Sequence, residues 1–243
     1  MSKHISVINP AYNEENRIKG TLEAVYNYFL RQNYSWEVIV VSDGSKDRTV
    51  EVVSEFISNK PEISLIANTQ NHGKGYVVRQ GMLQALGDFR LFTDADNSTS
   101  IEQIEKILPY LINKEYDIVI GSIEVLGAQI NEQAQWYRRA LGKYSKYIIR
   151  IVAGLWDIHD TQRGFKCFTA ASANNIFSIT KIDRFGFDIE ALALAKKMGY
   201  KIKEIPVVWN NPGDSKVSLK SYFEVLRDLF KIRWYLLNNI YKL

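Results

Sequence analysis

The chain has 243 residues, of which 46% are hydrophobic, so it is long enough to bury a full core as one large domain or two small ones. Its formal net charge is only +4, but residues 134–168 carry seven Lys or Arg against two Asp, and residues 196–243 carry ten against four acids. This basic second half indicates an anionic partner, such as phosphate groups, a membrane surface or a nucleic acid, or else a solvated face. No nucleic-acid recognition motif accompanies the charge, and we expect no nucleic-acid binding.

The composition also bears on the cellular compartment. Cys167 is the only cysteine, which excludes an intrachain disulfide and fits a reducing cytoplasm. A strand-like segment follows the first residues at once, so we expect no signal peptide. No apolar run reaches the ~20 residues that a membrane-spanning helix needs. We therefore expect a cytoplasmic protein that docks, if at all, peripherally at the cytoplasmic face of a membrane.

Residues 4–121 are predicted to alternate between strands and helices. The predicted strands are residues 4–9, which Pro10 should stop, then 36–41, 63–67, the run ending at Asp94, and 116–121. Asn13 and Asp47 are predicted to cap the first two helices, the first of which has an apolar stripe at helical spacing. Alternation of this kind predicts an α/β fold with a mostly parallel, Rossmann-like sheet flanked by helices.

The regular alternation ends after residue 122. A long basic helix is predicted from residue 133 to about residue 155. It is followed by a strand at 164–169, a helix at 186–198 and a strand at 201–209, in which Pro206 indicates an edge position. Residues 218–240 are predicted to form a final amphipathic helix with a basic and aromatic face. Because no linker or repeat is visible, we predict a single domain, 1–243, with a C-terminal helical elaboration.

Asp94 and Asp96 stand where an apolar run ends in small polar residues. Strand side chains alternate between faces, so carboxylates at positions i and i+2 point the same way and can converge on one cation. Oxygen ligands suit Mg²⁺ or Mn²⁺, which often keep a diphosphate among their ligands. A solvated strand-to-loop turn is the alternative, since Asp, Asn and Ser are ordinary loop residues.

Three polar clusters follow predicted strands: Pro10–Glu14, Ser42–Asp47 and Asp94–Ser98. Ligands of open α/β sheets bind at the carboxyl ends of the strands. The sequence therefore predicts one binding site, built from all three clusters, at a single edge of the sheet.

These clusters, in this order, resemble the family 2 inverting glycosyltransferases, which have the GT-A fold, and the resemblance covers residues 4–122. In the second half, the motifs Asp-Thr-Gln-x-Gly-Phe-Lys at 160–166, Phe-Asp-Ile-Glu at 187–190 and Gly-x-Ser-Lys at 213–216 resemble the polyprenyl-phosphate branch, which includes dolichyl-phosphate glucosyl- and mannosyltransferases. The resemblance implies that residues 1–122 bind a nucleotide sugar and that residues 123–243 bind the acceptor.

The resemblance also implies roles at the donor site. Tyr12 should lie against the nucleobase, and Asp43 should accept a hydrogen bond from a pyrimidine N3–H, unless it is a turn residue that binds its own backbone. Lys74 or Arg79 should face the diphosphate, although a helix N-cap loop explains the glycine-rich surroundings of Lys74 equally well. The implied nucleotide-binding residues are Pro10, Tyr12, Glu14, Asp43, Lys74, Asp94 and Ala95, and the implied metal ligands are Asp96, Asp94 and Ser98.

On the acceptor side, the resemblance places Asp160 and Gln162 in the sugar pocket, where they complete the catalytic set with Asp94 and Asp96. A phosphate monoester is already an anionic nucleophile near pH 7 and needs positioning rather than a general base. The cations suited to hold it are Arg138, Arg139, Arg163 and Lys216, with a solvated helix face as the alternative for the arginine pair.

We therefore expect a metal-dependent glycosyltransferase that uses Mg²⁺ or Mn²⁺ to move a hexose from UDP-glucose, or secondly GDP-mannose, to a polyprenyl or dolichyl phosphate. A saccharide hydroxyl acceptor stays open, and it would need Asp188 or Glu190 as general base. A nucleotide-sugar sensor is the non-enzymatic alternative, against which the intact Asp94 and Asp96 pair argues. Tyr147–Trp156 and residues 218–240 combine aromatic and basic side chains, which suits a membrane interface or, alternatively, packing against the sheet.

Overall fold

The computed structural model describes residues 4–130, 147–210 and 219–243. The strands are β1 (Ile5–Ala11), β2 (Trp36–Asp43), β3 (Ile63–Asn68), β4 (Phe89–Thr93), β5 (Ile118–Ser122), β6 (Gln129–Ile130), β7 (Phe165–Thr169), β8 (Ile202–Pro206) and β9 (Val208–Trp209). The helices are α1 (Ile18–Phe29), α2 (Thr49–Ile57), α3 (Lys74–Gln84), α4 (Leu108–Ile112), α5 (residues 147–153), α6 (Ala170–Phe177), α7 (Phe187–Lys197) and α8 (Leu219–Leu237), and a 3-10 helix at Ile101–Lys106 precedes α4.

Seven strands form one sheet in the order β3-β2-β1-β4-β7-β5-β8, while β6 and β9 pair separately. Neighbouring strands are parallel except β7, which runs antiparallel to both β4 and β5. In register, Ala11 of β1 lies beside Ser42 of β2, which lies beside Ala67 of β3. The prediction of a mostly parallel α/β sheet is confirmed, and the carboxyl ends of the first strands meet at one edge.

The sheet has a hydrophobic layer on each face, which explains why its central strands read as continuous apolar runs. All seven residues of β1 are buried. One layer packs α1 and the 3-10 helix against the sheet, and the other packs α3, α6, α7 and α8 against the opposite face. The sheet receives strands from both predicted halves, since β7 and β8 lie beyond residue 122.

Two local predictions at the first strand are wrong. The strand is not stopped by Pro10 but continues to Ala11, with Pro10 paired to Val41 after the pairing of β1 with β4 has ended at Ile8. Asn13 does not cap a helix, because α1 begins only at Ile18 and Asn13 has a left-handed φ of 52°. Its side-chain oxygen instead accepts a hydrogen bond from the Lys46 amide at 2.8 Å, a use of Asn that turns favour.

Other elements differ from prediction in extent. Asp47 precedes the N-cap position of α2, although its carboxylate accepts a hydrogen bond from the Thr49 amide at 3.0 Å. The strand expected at 201–209 is divided into β8 and β9, and β8 is an outer strand of the sheet that ends at Pro206, as the proline predicted. The long helix predicted at 133–155 is described only in part, because residues 133–146 lie outside the described residues. Residues 147–153 are helical, and Gly154, with a φ of 71°, follows the end of this helix. Helix α6 was not predicted.

Within the described ranges, no helix is both long enough and apolar enough to cross a membrane.

Candidate active site

Asp94 directly follows β4 and forms an ion pair with Lys74, whose Nζ lies 2.5 Å from Oδ1 of Asp94. Lys74 is the first residue of α3, so the loop that precedes this helix brings the ammonium to the edge of the sheet. Burial would lower the pKa of Lys74, but the negative charges of Asp94 and Asp188, and more weakly Asp96, outweigh it and raise that pKa. The lysine is therefore held in its charged form among three carboxylates.

Gly164 lies against the Asp94 carboxylate. A methyl group on the α-carbon of Gly164 would overlap both carboxylate oxygens of Asp94. The backbone reinforces the contact, because the Asp94 amide donates to the Gly164 carbonyl at 3.2 Å. The glycine that precedes β7 thus leaves the space in which the Asp94 side chain lies.

Asp96 and Ser98 form a tight turn after Asp94. The Ser98 amide donates to Oδ1 of Asp96 at 3.0 Å, and Asn97 between them has a left-handed φ of 53°. Ala95 is fixed by its carbonyl, which accepts a hydrogen bond from the Thr21 hydroxyl at 2.7 Å. In the described part of the chain, no three His, Cys, Asp or Glu side chains gather into a metal-binding group. Asp94, Asp96 and Ser98 still offer hard oxygen donors, and Mg²⁺ is commonly held by one or two carboxylates together with phosphates.

Asp43 ends β2 and is almost fully buried. Its carboxylate accepts hydrogen bonds from the His72 amide at 2.7 Å and the Gly73 amide at 2.9 Å. Asp43 therefore ties the loop before α3 to the end of β2, rather than binding its own turn. Each carboxylate oxygen has a second lone pair, so these bonds leave acceptor capacity for a ligand.

The loop after β1 is braced by the loop after β2. The Glu14 amide donates to the Thr49 hydroxyl at 2.7 Å, and the Glu15 amide donates to Asp47 at 3.1 Å. The Glu14 carboxylate pairs with Arg17 at 2.8 Å. Pro10 is buried at the end of β1 and Tyr12 is partly exposed just beyond it. Within the predicted clusters themselves, the Asn13 amide donates to the Ser45 hydroxyl at 3.1 Å, so two of the three clusters are joined directly.

Asp160 is buried in the loop before β7. Its carboxylate accepts a hydrogen bond from the Ile123 amide at 3.1 Å and lies 3.5 Å from the Arg163 guanidinium. The same guanidinium lies over the Trp209 ring, 4.8 Å from its centroid. Gln162 in this loop is exposed. Because Gly164 ends the loop, these side chains belong to the segment that packs on Asp94.

A buried ion pair lies next to this loop, and the pairing of its two residues was not predicted. Lys166, with no exposed surface, has its Nζ 2.6 Å from Oδ1 of Asp188 and also donates to the Arg163 carbonyl. Burial raises the pKa of Asp188, and the charges of Lys166 and Lys74 oppose that rise. Both residues belong to the motifs at 160–166 and 187–190, and the sequence signal for a buried pair was a lysine in an otherwise apolar strand, which needs a partner.

Glu190, the other acid of α7, is also fully buried. Its carboxylate accepts hydrogen bonds from the amides of Lys181 and Ile182 and from the Tyr241 hydroxyl. Burial raises the pKa of Glu190. This carboxylate braces the start of α7 against the loop that precedes it.

The structure thus brings Asp94, Lys74 and the loop of Asp160 and Arg163 together, and joins Asp43 to the Lys74 loop. Arg138, Arg139 and Lys216 lie outside the described residues. The roles of all these residues toward a ligand stay predictions. A sheet that runs β3-β2-β1-β4, with polar loops gathered at the carboxyl ends, defines an α/β protein of the Rossmann type, a class in which ligands bind at that edge.

The comparisons with known proteins narrow the class. The family model for glycosyl transferase family 2 matches residues 6–177. The chain is 37% identical over 242 residues to a dolichyl-phosphate beta-glucosyltransferase of Trichomonas vaginalis, and covers 71% of that protein with 96% of its own length. It is 31% identical over 255 residues to the dolichyl-phosphate beta-glucosyltransferase of Homo sapiens, covering 78% of that protein with the whole chain. This chain belongs to glycosyl transferase family 2.

Solved structures of other proteins share the fold of this chain. Glucosyl-3-phosphoglycerate synthase from Mycobacterium tuberculosis, in complex with Mn²⁺ and UDP-glucose, superposes with a TM-score of 0.71 at 15% identity, over 95% of this chain and 79% of that one. Mannosyl-3-phosphoglycerate synthase from Rubrobacter xylanophilus superposes with a TM-score of 0.72 at 13% identity, over 99% and 76%. The fold is the GT-A fold of these glycosyltransferases, as the sequence resemblance implied.

Proposed function

We propose that this chain transfers glucose from UDP-glucose to a polyprenyl phosphate of the dolichyl type. The observation that carries the proposal is the position of Asp94, which follows β4 at the ligand-binding edge and is paired with Lys74. The names of the relatives support glucose and dolichyl phosphate as substrates. GDP-mannose, the second donor that the sequence resemblance implied, is tested beside it.

Asp96, Asp94 and Ser98 are the residues that would hold Mg²⁺ or Mn²⁺. A bound divalent cation supplies positive charge that stabilises the departing nucleoside diphosphate. Lys74 adds a second positive charge at the same place, because its ammonium already lies against Asp94. Asp43 fixes the loop that carries Lys74 and keeps acceptor capacity for the base. The chain's own residues thus place positive charge where the diphosphate is released.

Two buried acids bear on the choice of acceptor. A saccharide hydroxyl would need a general base, and Asp188 and Glu190 were the candidates. Asp188 is buried in an ion pair with Lys166, and Glu190 is enclosed by two amides and a tyrosine hydroxyl. An acceptor that is already anionic needs neither of them, which supports a phosphate acceptor. Arg138, Arg139, Arg163 and Lys216 are the cations proposed to hold it.

We propose further that the protein works at the cytoplasmic face of a membrane, where a polyprenyl phosphate resides. Helices α5 and α8 bury one side, including Ile149 and Leu229, in the hydrophobic layer on one face of the sheet. Their other sides expose large apolar groups at Tyr147, Ile151, Phe223, Phe230, Trp234 and Leu237, and Trp156 just beyond α5 is exposed as well. Apolar groups beside Arg and Lys suit the membrane interface, where each basic residue contributes about 1 kcal/mol near anionic lipids. Salt-sensitive sedimentation with anionic vesicles, and not with neutral ones, tests this part.

Radiolabelled sugar transfer tests the activity. UDP-glucose and GDP-mannose are each offered with a polyprenyl phosphate or with free saccharides, with Mg²⁺, Mn²⁺ or chelator. We expect transfer from UDP-glucose to the lipid phosphate, dependent on the metal. The Arg138→Ala/Arg139→Ala double variant should lose lipid glycosylation while UDP binding persists. Transfer to saccharides alone would establish the alternative acceptor, and normal lipid transfer by the double variant would remove those arginines from the acceptor site.

A further inference from the structure

Glu190 holds the loop that precedes its own helix. It lies in the first turn of α7 with no exposed surface. One carboxylate oxygen accepts from the Lys181 amide at 2.8 Å and the other from the Ile182 amide at 2.9 Å. Its hydrogen bonds point into the protein, toward residues 180–184, which we call the bracing loop.

Tyr241 completes the enclosure of Glu190 from the C-terminal end of the chain. Its hydroxyl donates to Oε1 of Glu190 at 2.6 Å, and the residue is almost fully buried beyond α8. Burial, together with the negative charge of Glu190, raises the pKa of Tyr241, so the hydroxyl keeps the proton that it donates. The Tyr241 ring packs edge-on against Tyr235, 5.7 Å between centroids. The segment after α8 is therefore anchored to α7 through one hydroxyl.

The bracing loop in turn holds the start of α3. The Tyr76 amide donates to the Asp183 carbonyl at 3.0 Å. Arg79 pairs with the Asp183 carboxylate at 2.6 Å and donates to the Thr180 carbonyl at 3.2 Å. Gly73 and Gly75 both lie so close to backbone atoms of the bracing loop that a methyl group on either would overlap them. The two loops are packed backbone to backbone.

The start of α3 carries the contacts of the donor site. Asp43 accepts from the His72 and Gly73 amides, and Lys74 pairs with Asp94. From these contacts we propose that Glu190 and Tyr241 are positioning residues: through the bracing loop they fix the loop of residues 72–76, and with it Lys74, for binding of the nucleoside diphosphate. The last part of the inference rests on the proposed function. On this view the C-terminal segment supports the donor site without touching it.

Tyr241→Phe removes only the hydroxyl and is the direct test, with Tyr235→Phe as the matched control on the ring that packs against it. Amide hydrogen exchange is followed in peptides that contain residues 72–77 and 180–184, in the full chain without substrates. We expect exchange to speed up several-fold in both segments of Tyr241→Phe and in neither segment of the control. Faster exchange confined to residues 180–184 would reduce Tyr241 to a local brace and overturn the inference.

Binding of UDP with Mn²⁺ provides a second readout. Loss of one hydrogen bond that orders a binding loop should raise the UDP dissociation constant about threefold to tenfold. The KM for UDP-glucose should rise by a similar factor while kcat changes less, which a uniform loss of stability would not produce. Glu190→Gln, which removes the charge, should show the same split, and unchanged UDP affinity in both variants would overturn the proposal. Hydrogen exchange and UDP binding are measured without a lipid acceptor. Both therefore still test this inference if the proposed glucose transfer is not observed.

Discussion

Gly164 and Asp94 face each other so closely that the glycine cannot bear a side chain without displacing the carboxylate. The φ of Gly164 is not in the left-handed region, so alanine is tolerated by the backbone and the conflict is purely steric. We predict that Gly164→Ala lowers transfer by about a hundredfold, because misplacing a reacting group by about 1 Å has an effect of that size. Steady-state kinetics with UDP-glucose measures it.

The control for this substitution is Gly20→Ala. Gly20 lies in α1, and a methyl group on its α-carbon would have no other atom within 4 Å, so alanine meets only solvent there. It should raise the free energy of unfolding by about 0.5–1 kcal/mol and leave kinetics unchanged. Normal activity of Gly164→Ala would show that the position of Asp94 is not critical.

Asp96→Asn should abolish transfer while the fold survives. The Asp96 side chain is partly exposed and accepts a hydrogen bond from the Ser98 amide, which the amide oxygen of asparagine can also accept. Removing one charge from a site with few protein ligands should lower the rate roughly a thousandfold or more. Transfer assays across a Mn²⁺ titration measure the loss, and circular dichroism checks the fold. Retained turnover with the same metal dependence would place the metal elsewhere.

Asp43→Ala should weaken UDP binding through two losses, the base contact proposed for the carboxylate and the tether of the loop at His72 and Gly73. A charge-assisted hydrogen bond contributes about 1.5–3 kcal/mol, so affinity should fall by at least tenfold. Calorimetry with UDP measures it, with and without Mn²⁺. The relative effect of the metal should stay the same in the variant. Equal affinity in variant and parent would leave Asp43 a purely structural residue.

Replacing either residue of the buried Lys166–Asp188 pair alone should lower the free energy of unfolding strongly. Asp188→Asn leaves the ammonium of Lys166 buried without its counter-charge, which should cost about 3–5 kcal/mol in the free energy of unfolding. Adding Lys166→Met should recover much of that loss. Urea denaturation of the parent, both single variants and the double variant gives the coupling energy. A coupling near zero would mean that solvent reaches the pair.

The contribution of Asp47 to the free energy of unfolding should depend on pH. Burial would raise the pKa of Asp47, but hydrogen bonds from the Thr49 hydroxyl and from the amides of Glu15 and Thr49 outweigh it and lower that pKa. Its stabilising effect is therefore present above the ordinary carboxyl pKa and is lost as the pH falls through the lowered value.

Asp47→Asn should accordingly reduce the free energy of unfolding by about 1 kcal/mol at pH 7, with the difference shrinking below about pH 4. Denaturant unfolding at a series of pH values follows this change. Glu55→Gln, on the exposed side of α2, is the matched control and should show no such trend. A difference that is constant across the series would show that the charge of Asp47 is not responsible.

Local sequence patterns predicted the strands around the donor site and the edge at which their polar loops meet. The polar loops directly follow their strands, and the parallel pairing of the strands brings these loops together at one edge of the sheet. The contacts of Gly164 with Asp94 and of Lys74 with Asp94 were not predictable, because they join segments 70 and 20 residues apart through β7 and α3. Asn13 was misassigned because a left-handed asparagine and a helix cap use the same residue type.

The position of β7 also governs the order in which the molecule can be assembled. Both β4 and β5 are synthesised before β7, yet β7 lies between them in the finished sheet, and the other neighbour of β5, β8, comes later still. A nascent chain that ends before residue 165 therefore has open strand edges at β4 and β5, which are hazards for aggregation. The same strand brings Gly164 against Asp94 as it inserts. The insertion of β7 during folding thus closes the sheet and completes the surroundings of Asp94 in one step.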